Sequence, residues 1–310
     1  MVNNHFYNYM ARCVRYFPSI YKQFCVDNSR DAIVRELHHR YSRGASVMLD
    51  FAREHTANEA AQREAYSKLC VTLDLLNSFH RSNRGNADAT RPILAVKYSA
   101  LHMRPEYLNN LVIRARHRGI VDITVDAEQT TIQEEINVRV LELQKTHHTR
   151  GSPFRIFHTY QAYLIDSYAR LQRDVESFAR EGTPFACKLV RGAYFAEERR
   201  ENRGHALYQR KEDTDANYRK CLDYLIEHDS RPNVIVATHN EADILHVSER
   251  KAKGKGQERI GFALLKGMNE GLVDRLTQRG FPVHVYTPFG KMDDVLPYLI
   301  RRLHEKYRAD

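Results

Sequence analysis

The sequence predicts an α/β protein of the (β/α)8-barrel type, on three observations. Eight short runs rich in β-branched and aromatic residues recur along the chain, and each is followed by a segment with helical periodicity. Strict alternation of strand and helix requires parallel strands joined by crossovers. The eight units fill about 265 residues, close to the ~250 of a typical closed barrel. An open doubly wound sheet fits the alternation too, but eight units without a break in composition favour closure.

The predicted strands are, in order, "ASVMLD" (45–50), "ILAVK" (93–97), "VDITVD" (121–126), "FRIFHTY" (154–160), "FACKLV" (185–190), "NVIVAT" (233–238), "RIGFALL" (259–265) and "PVHVYT" (282–287). Amphipathic segments such as "YLNNLVIRARHRG" and "DANYRKCLDYLIEH" lie between them, and Gly119 is placed to cap the first of these. Ahead of the barrel, the aromatics of "MVNNHFYNYMARCVRYFPSIYKQFC" fall at helical spacing, which predicts a packed helix. That stretch carries Arg12, Arg15 and Lys22 and no acid before Asp27, a weak organelle-targeting bias without the serine richness of a transit peptide. The expected organisation is a helical arm over residues 1–43 and a barrel over 44–310.

Composition bounds the function. The 310 residues are 42% hydrophobic, and no apolar run approaches the length of a membrane-crossing helix, about 20 residues. The net charge of +9, from 48 basic and 39 acidic residues, favours an anionic partner. The basic residues are scattered without interleaved stacking aromatics, so no nucleic-acid partner is expected. Cys13, Cys25, Cys70, Cys187 and Cys221 are odd in number and widely spaced, which predicts reduced thiols. No metal is expected: the "HH" pairs at 38–39 and 147–148 lack ligand spacing and read as surface histidines.

Barrel enzymes place their chemistry at the C-terminal ends of the strands. Those ends carry Asp50 and Glu54, Lys97, Asp126 and Glu128, Gln161, Lys188 with Arg191, the Thr238-His239-Asn240 run, Lys266, and Tyr286. So many charges of both signs exceed what strand termination needs. Lys97, Lys188, Arg191 and Lys211 suffice for a multiply anionic ligand, yet neither GxGxxG nor GxxxxGK[ST] is present. Asn240 can also cap a helix starting at Glu241.

In the same order, "LDFARE" (49–54), "VKYSAL" (96–101), "VDAE" (125–128), "YQAY" (160–163), "KLVRGAYFAEE" (188–198), "KEDTDANY" (211–218), "ATHNE" (237–241), "LLKGM" (264–268) and "VYTPFGKMDDVLPYLIRRLHE" (285–305) resemble the flavin-dependent proline dehydrogenases. "KLVRGAY" and "CLDYLIEH" are closer to the eukaryotic branch. The resemblance implies a distorted barrel that binds FAD, with the last helix across its C-terminal mouth. The adjacent Arg301 and Arg302 would then hold the carboxylate of L-proline together with Lys97. Tyr194, Leu265, Tyr286 and Tyr298 would wall the proline ring. Glu54 would pair with Arg301 and close the site. Asp126 either orders Lys97 or stabilises the barrel.

For the cofactor, the resemblance places Lys188 near the flavin N5 and Gln161 at the ring edge. It gives Val190, Arg191, Gly192 and Ala193 the tight turn, and Lys211, Thr214, Thr238, His239, Asn240 and Glu305 the remaining contacts. The implied reaction is oxidation of L-proline to Δ1-pyrroline-5-carboxylate, with electrons passed to a membrane quinone by a peripherally bound protein. The implied location is the matrix side of the mitochondrial inner membrane in a eukaryote, otherwise the cytoplasm or bacterial inner membrane. Two alternatives stand beside it. One is a 4-hydroxyproline dehydrogenase, which Tyr286 disfavours by crowding the hydroxyl. The other is a non-catalytic barrel serving interaction or regulation, to which Lys266 and the "ERRENRGHALYQR" insert point as departures from the family pattern.

Overall fold

A computed structural model describes residues 18–54, 58–83, 90–201, 206–228, 230–252 and 259–307. Eight parallel strands follow one another in chain order and close into a barrel. They are β1 (Ser46–Phe51), β2 (Ile93–Val96), β3 (Asp122–Val125), β4 (Ile156–Gln161), β5 (Ala186–Val190), β6 (Asn233–Ala237), β7 (Ile260–Leu265) and β8 (Val283–Phe289). Each predicted strand is present. The last runs three residues beyond its predicted catalytic end at Tyr286, because Pro288 and Phe289 continue the pairing with β1. The targeting-like residues before Pro18, Cys13 among them, and residues 202–205 of the insert lie outside the described residues.

The chain divides into two compact units, one of residues 1–108 with 264–310 and one of residues 109–263. In the first, β1 is central, pairing Asp50 with Ala95 on one side and with Pro288 on the other. The arm supplies helices α1 (Pro18–Phe24) and α2 (Arg30–Tyr41). The Tyr21 hydroxyl donates to the carbonyls of Val26 (2.9 Å) and Gly290 (2.8 Å), and the Val26 N–H donates to Pro288 O at 2.9 Å. The arm is thereby joined to the end of β8. It is also keyed to the loop after β7. Gly267 has φ +76°, and a Cβ there would stand 2.2 Å from the Gln23 carbonyl oxygen, so only glycine fits. Arg40, 1% exposed, pairs with Glu36 (2.6 Å) and with Glu270, while Lys266 reaches Glu36 at 3.2 Å. The Glu270 carboxyl stays ionised against its burial, at about 2, because Arg40 and the Gly267 N–H hold the charged form.

Side chains at the helix starts supply the N–H groups there with acceptors. Ser29 caps α2, Asn58 caps α3 (Glu59–Ser82) and Asn269 caps α10 (Glu270–Gln278). The final helix α11 (Met292–Tyr307) contains Pro297, which removes one helical hydrogen bond. Its apolar residues Val295, Leu296, Tyr298, Leu299, Ile300 and Leu303 pack with Phe24 and Cys25 of the arm and Ala52 after β1. The last helix therefore covers the C-terminal ends of β1 and β8, within this unit.

The second unit holds β3 to β6 and most of β7, with most of α4 (Pro105–Arg118) and all of α5 (Thr130–His147), α6 (Ser167–Glu181), α7 (Phe195–Arg200), α8 (Lys211–Glu227) and α9 (Glu241–Ala252). Gly119 follows α4 at φ +65°, with its N–H on the Ala115 carbonyl at 2.9 Å, as a C-cap requires. Gln144, fully buried, donates to the carbonyls of Ile156 (2.8 Å) and Ala186 (2.7 Å) and ties α5 to two strands.

The expected surface pair His147-His148 is buried instead, whereas His38 and His39 are exposed. Capping an α/β crossover draws this second pair inward. His148 Nε2 accepts the Ile156 N–H at 2.9 Å, which leaves Nδ1 to donate to Pro184 O at 2.8 Å. Burial lowers His148 from 6.5 to about 4, His158 to about 3 and His284 to about 4. The unfolded chain binds these protons more tightly than the folded one, so stability is complete above pH 6.5 and falls as pH drops toward 4. Urea unfolding at about pH 5 is expected to show a loss on the order of 2 kcal/mol per buried histidine relative to neutral pH. His148→Gln should flatten that slope; an unchanged slope would show that other groups set it.

Candidate active site

Three cations gather on the strand-end side of the first unit, and each has a carboxylate of its own. Lys97 follows β2, is 5% exposed, and donates to the fully buried Asp50 of β1 at 2.5 Å. It also lies 3.3 Å from the Tyr286 hydroxyl, with its ammonium 6.0 Å from the centre of that ring. Arg301 donates to Glu54 at 2.7 Å, and Arg302 donates to Glu305.

The two arginines diverge as helical neighbours must, about 100° apart. Arg301 takes the acid after β1, while Arg302 turns inward over the ring of Tyr298, 5.0 Å from its centre. The rings of Tyr298 and Tyr286 stack at 6.4 Å and 28°, so an unbroken series runs from Arg302 through both tyrosines to Lys97 and Asp50.

Two donors in this series lack a hydrogen-bond partner. The Arg302 Nε and the Tyr298 hydroxyl are both buried and unbonded among the described residues. Burial drives the Tyr298 phenol well above its ordinary range, so it remains a protonated donor. An unsatisfied buried donor costs about 1–3 kcal/mol, which an anionic ligand would recover. Cys25 lies within electrostatic reach of Asp50, Lys266, Arg302 and Lys97, and its thiol is raised chiefly by burial.

The second unit carries its own polar cluster. Arg191, just after β5, donates to Asp215 at 2.5 Å, to the Thr238 hydroxyl at 3.0 Å and to Asp243 at 2.7 Å, and stacks 4.3 Å from the centre of the Tyr218 ring. Lys211 reaches Asp215 at 2.8 Å from an exposed position, and Thr214 is buried one turn along the same helix. Thr238 and Asn240 build the turn into α9: the Asn240 N–H donates to Thr238 at 3.0 Å, and Asn240 Oδ1 accepts from Ala242 (2.9 Å) and Asp243 (3.2 Å). The capping expected of Asn240 is thus present. The ammonium of Lys188 is buried on Asp126, and Gln161 donates to the Glu128 carbonyl at 3.0 Å. Gly192 sits at φ +129° with the Tyr163 ring against it: a Cβ would fall 1.7 Å from two ring carbons.

The structure therefore brings together Lys97, Tyr286, Tyr298, Arg301, Arg302, Glu54 and Glu305 in one unit, with Leu265 at the end of β7. In the other it joins Arg191, Thr238 and Lys211 directly or through a shared carboxylate. Val190 ends β5, followed by Ala193 and the buried Tyr194, while His239 lies between Thr238 and Asn240. Asp126, read either as ordering Lys97 or as stabilising the barrel, accepts from Lys188, and Asp50 accepts from Lys97.

Sequence reasoning gave no role to Asp50, Asp215, Asp243 or Cys25. The first three carried a usable signal: a strand-end acid, an acid four residues after Lys211, and an acid in the first turn of α9. Cys25 carried none.

A parallel α/β barrel with buried cations at its strand ends has the architecture of a barrel enzyme. Over residues 33–309 the chain matches the family described as proline dehydrogenase, and it belongs to that family. It is 41% identical over 199 residues to the human protein "Proline dehydrogenase 1, mitochondrial", covering 60% of this chain and 32% of the relative. To the Xenopus laevis "Hydroxyproline dehydrogenase" it is 32% identical over 294 residues, covering 86% of this chain and 63% of the relative. The chain thus spans about a third of the human relative and just under two thirds of the frog one. The solved structure of proline utilization A from Bdellovibrio bacteriovorus inactivated by N-propargylglycine superposes with a TM-score of 0.82, covering 94% of this chain and 33% of that chain, at 21% identity; this likeness supports the barrel.

Proposed function

We propose that this chain oxidises L-proline to Δ1-pyrroline-5-carboxylate with FAD as its cofactor. The observation that carries the reading is the pair of buried, unbonded donors, Arg302 Nε and Tyr298 Oη, in a cluster that also holds Lys97. A small carboxylate satisfies both, and charge-assisted bonds to a guanidinium fix its orientation. Arg302, Arg301 and Lys97 take the carboxylate. Tyr286 and Tyr298, with Leu265 and Tyr194, face the hydrocarbon ring. Glu54 on Arg301 ties the last helix to the loop after β1 and keeps water from the ring.

FAD, when bound, supplies the two-electron acceptor for the hydride leaving C5 as the ring C=N bond forms. The residues assigned to it fit an anionic, amide-bearing group. Arg191 and Lys211 offer cationic N–H donors, Thr214 and Thr238 hydroxyls, and Gln161 an amide, while Lys188 places a buried positive charge in the same unit. Val190, Gly192, Ala193, His239, Asn240 and Glu305 complete the proposed set. Electrons then pass to a membrane quinone, with the +9 charge favouring peripheral attachment to anionic lipid. Among the described residues no helix is long and apolar enough to cross a membrane. A mitochondrial location follows the names of the human and bovine relatives.

Oxidation of 4-hydroxyproline is the second reading, favoured by the 86% of this chain that aligns with the frog hydroxyproline dehydrogenase. Tyr286, which lies beside Lys97, would disfavour it by crowding the ring hydroxyl, as the family resemblance implies. The test is anaerobic addition of each amino acid to the FAD-supplemented protein. L-Proline should bleach the flavin absorbance rapidly and 4-hydroxyproline should not. Bleaching by hydroxyproline alone would transfer the assignment, and bleaching by neither would end it.

A further inference from the structure

We propose that Asp50 is the positioning residue for Lys97, keeping its ammonium charged and aimed at the substrate carboxylate. The inference rests on the functional reading above and assigns a residue that the strand-end pattern left without a role.

Asp50 is fully buried on β1 and accepts from Lys97 Nζ at 2.5 Å. Registration favours the partnership: Asp50 lies opposite Ala95 of β2, two residues before Lys97, so both side chains stand on the same face of adjacent strands, and the long lysine side chain spans the two-residue offset. Lys97 itself opens a one-turn 3-10 helix, Tyr98–Leu101, whose four residues are all buried, and this leaves its backbone little freedom. The Tyr286 hydroxyl at 3.3 Å supplies a second fixed contact.

Among the described groups of this unit, the Tyr286 hydroxyl touches Lys97, Cys25 of the arm lies within electrostatic reach of Asp50, Lys97, Lys266 and Arg302, and Tyr298 of α11 within reach of Asp50, Arg302 and Glu305. Of these, Lys266 and Arg302 are cationic. A buried ammonium that faces cations without a carboxylate loses its proton readily. Asp50 is a carboxylate hydrogen-bonded to it, and it differs from the partner of Arg302. The Glu305 side chain is 46% exposed, so that acid can rehydrate when a ligand arrives. Asp50 has no solvent to return to. It stays on Lys97 through binding and leaves the lysine a fixed cation, whereas Arg302 exchanges Glu305 for the ligand carboxylate.

The test measures binding of cyclopentanecarboxylate, a ring acid without the amine, to the FAD-supplemented protein by calorimetry across pH. It compares wild type with Asp50→Asn, Asp50→Glu, Lys97→Met and Lys97→Met/Asp50→Asn. Wild-type affinity should be flat between about pH 6 and pH 9, whereas D50N should lose about tenfold or more across that range as Lys97 gives up its proton. D50E should restore the flat profile. K97M should bind weakly at every pH, and the double variant should match K97M, since Asp50 acts only through the lysine.

A folded D50N with a flat profile and affinity within about threefold of wild type would overturn the proposal. If D50N alone does not fold, the double variant decides, because removing both members of a buried pair is tolerated better than removing one. Affinity far below K97M would then show that Asp50 acts independently. Proline-driven bleaching of the wild type, run in parallel, reports on the functional reading separately.

Discussion

Arg302→Met is expected to weaken binding of a ring carboxylate by about a hundredfold or more while flavin content stays near that of the wild type. The size of the effect follows from where the guanidinium lies. It is buried over the Tyr298 ring, and its Nε has no partner among the described residues, so part of its hydrogen-bonding capacity remains for a ligand. Folding should suffer little. The acid left behind, Glu305, has a side chain 46% exposed and can return to water.

Arg301→Met should behave differently. It strands Glu54, whose side chain is 11% exposed, so the melting temperature should fall along with affinity. Calorimetric titration and thermal unfolding of both variants separate the two residues. Equal losses of flavin and of ligand affinity in R302M would show that the guanidinium serves the cofactor instead.

Gly192→Ala is expected to destabilise the protein by more than about 3 kcal/mol, before any cofactor is added. The family resemblance gave this glycine to the cofactor turn, but its nearest occupant is the ring of Tyr163, 1.7 Å from where a Cβ would stand, and φ is +129°. Tyr163 is buried and packs with Leu164, Leu207 and Phe195, which leaves its ring little room to retreat. Thermal unfolding of flavin-free G192A should show the loss. The Gly192→Ala/Tyr163→Ala double variant should be less damaged than the two single losses predict, by about 1 kcal/mol or more. Additive losses would place the clash elsewhere.

What the chain disclosed in advance depended on how local the determinants were. The eight strands were legible because each is a short run that the barrel buries almost whole, as in "ILAVK" or "VDITVD". The caps at Gly119 and Asn240 were legible because capping is settled within one turn. The contact between Lys97 and Asp50 was not, since it depends on strand register, which no local pattern encodes. The burial of His148 was missed for the same reason: its two bonds reach Ile156 and Pro184, 8 and 36 residues away. Gly192 was recognised as special, but the ring beside it belongs to a different strand-end turn.

The account depends most on one arrangement, a small acid gripped by a lysine after the second strand and by the arginine pair of the last helix. A crystal structure of the FAD-loaded protein with cyclopentanecarboxylate bound measures it directly. The account predicts carboxylate oxygens at about 2.7–3.0 Å from Lys97 Nζ and from the guanidiniums of Arg301 and Arg302. A carboxylate bound beyond hydrogen-bonding distance of all three would contradict it.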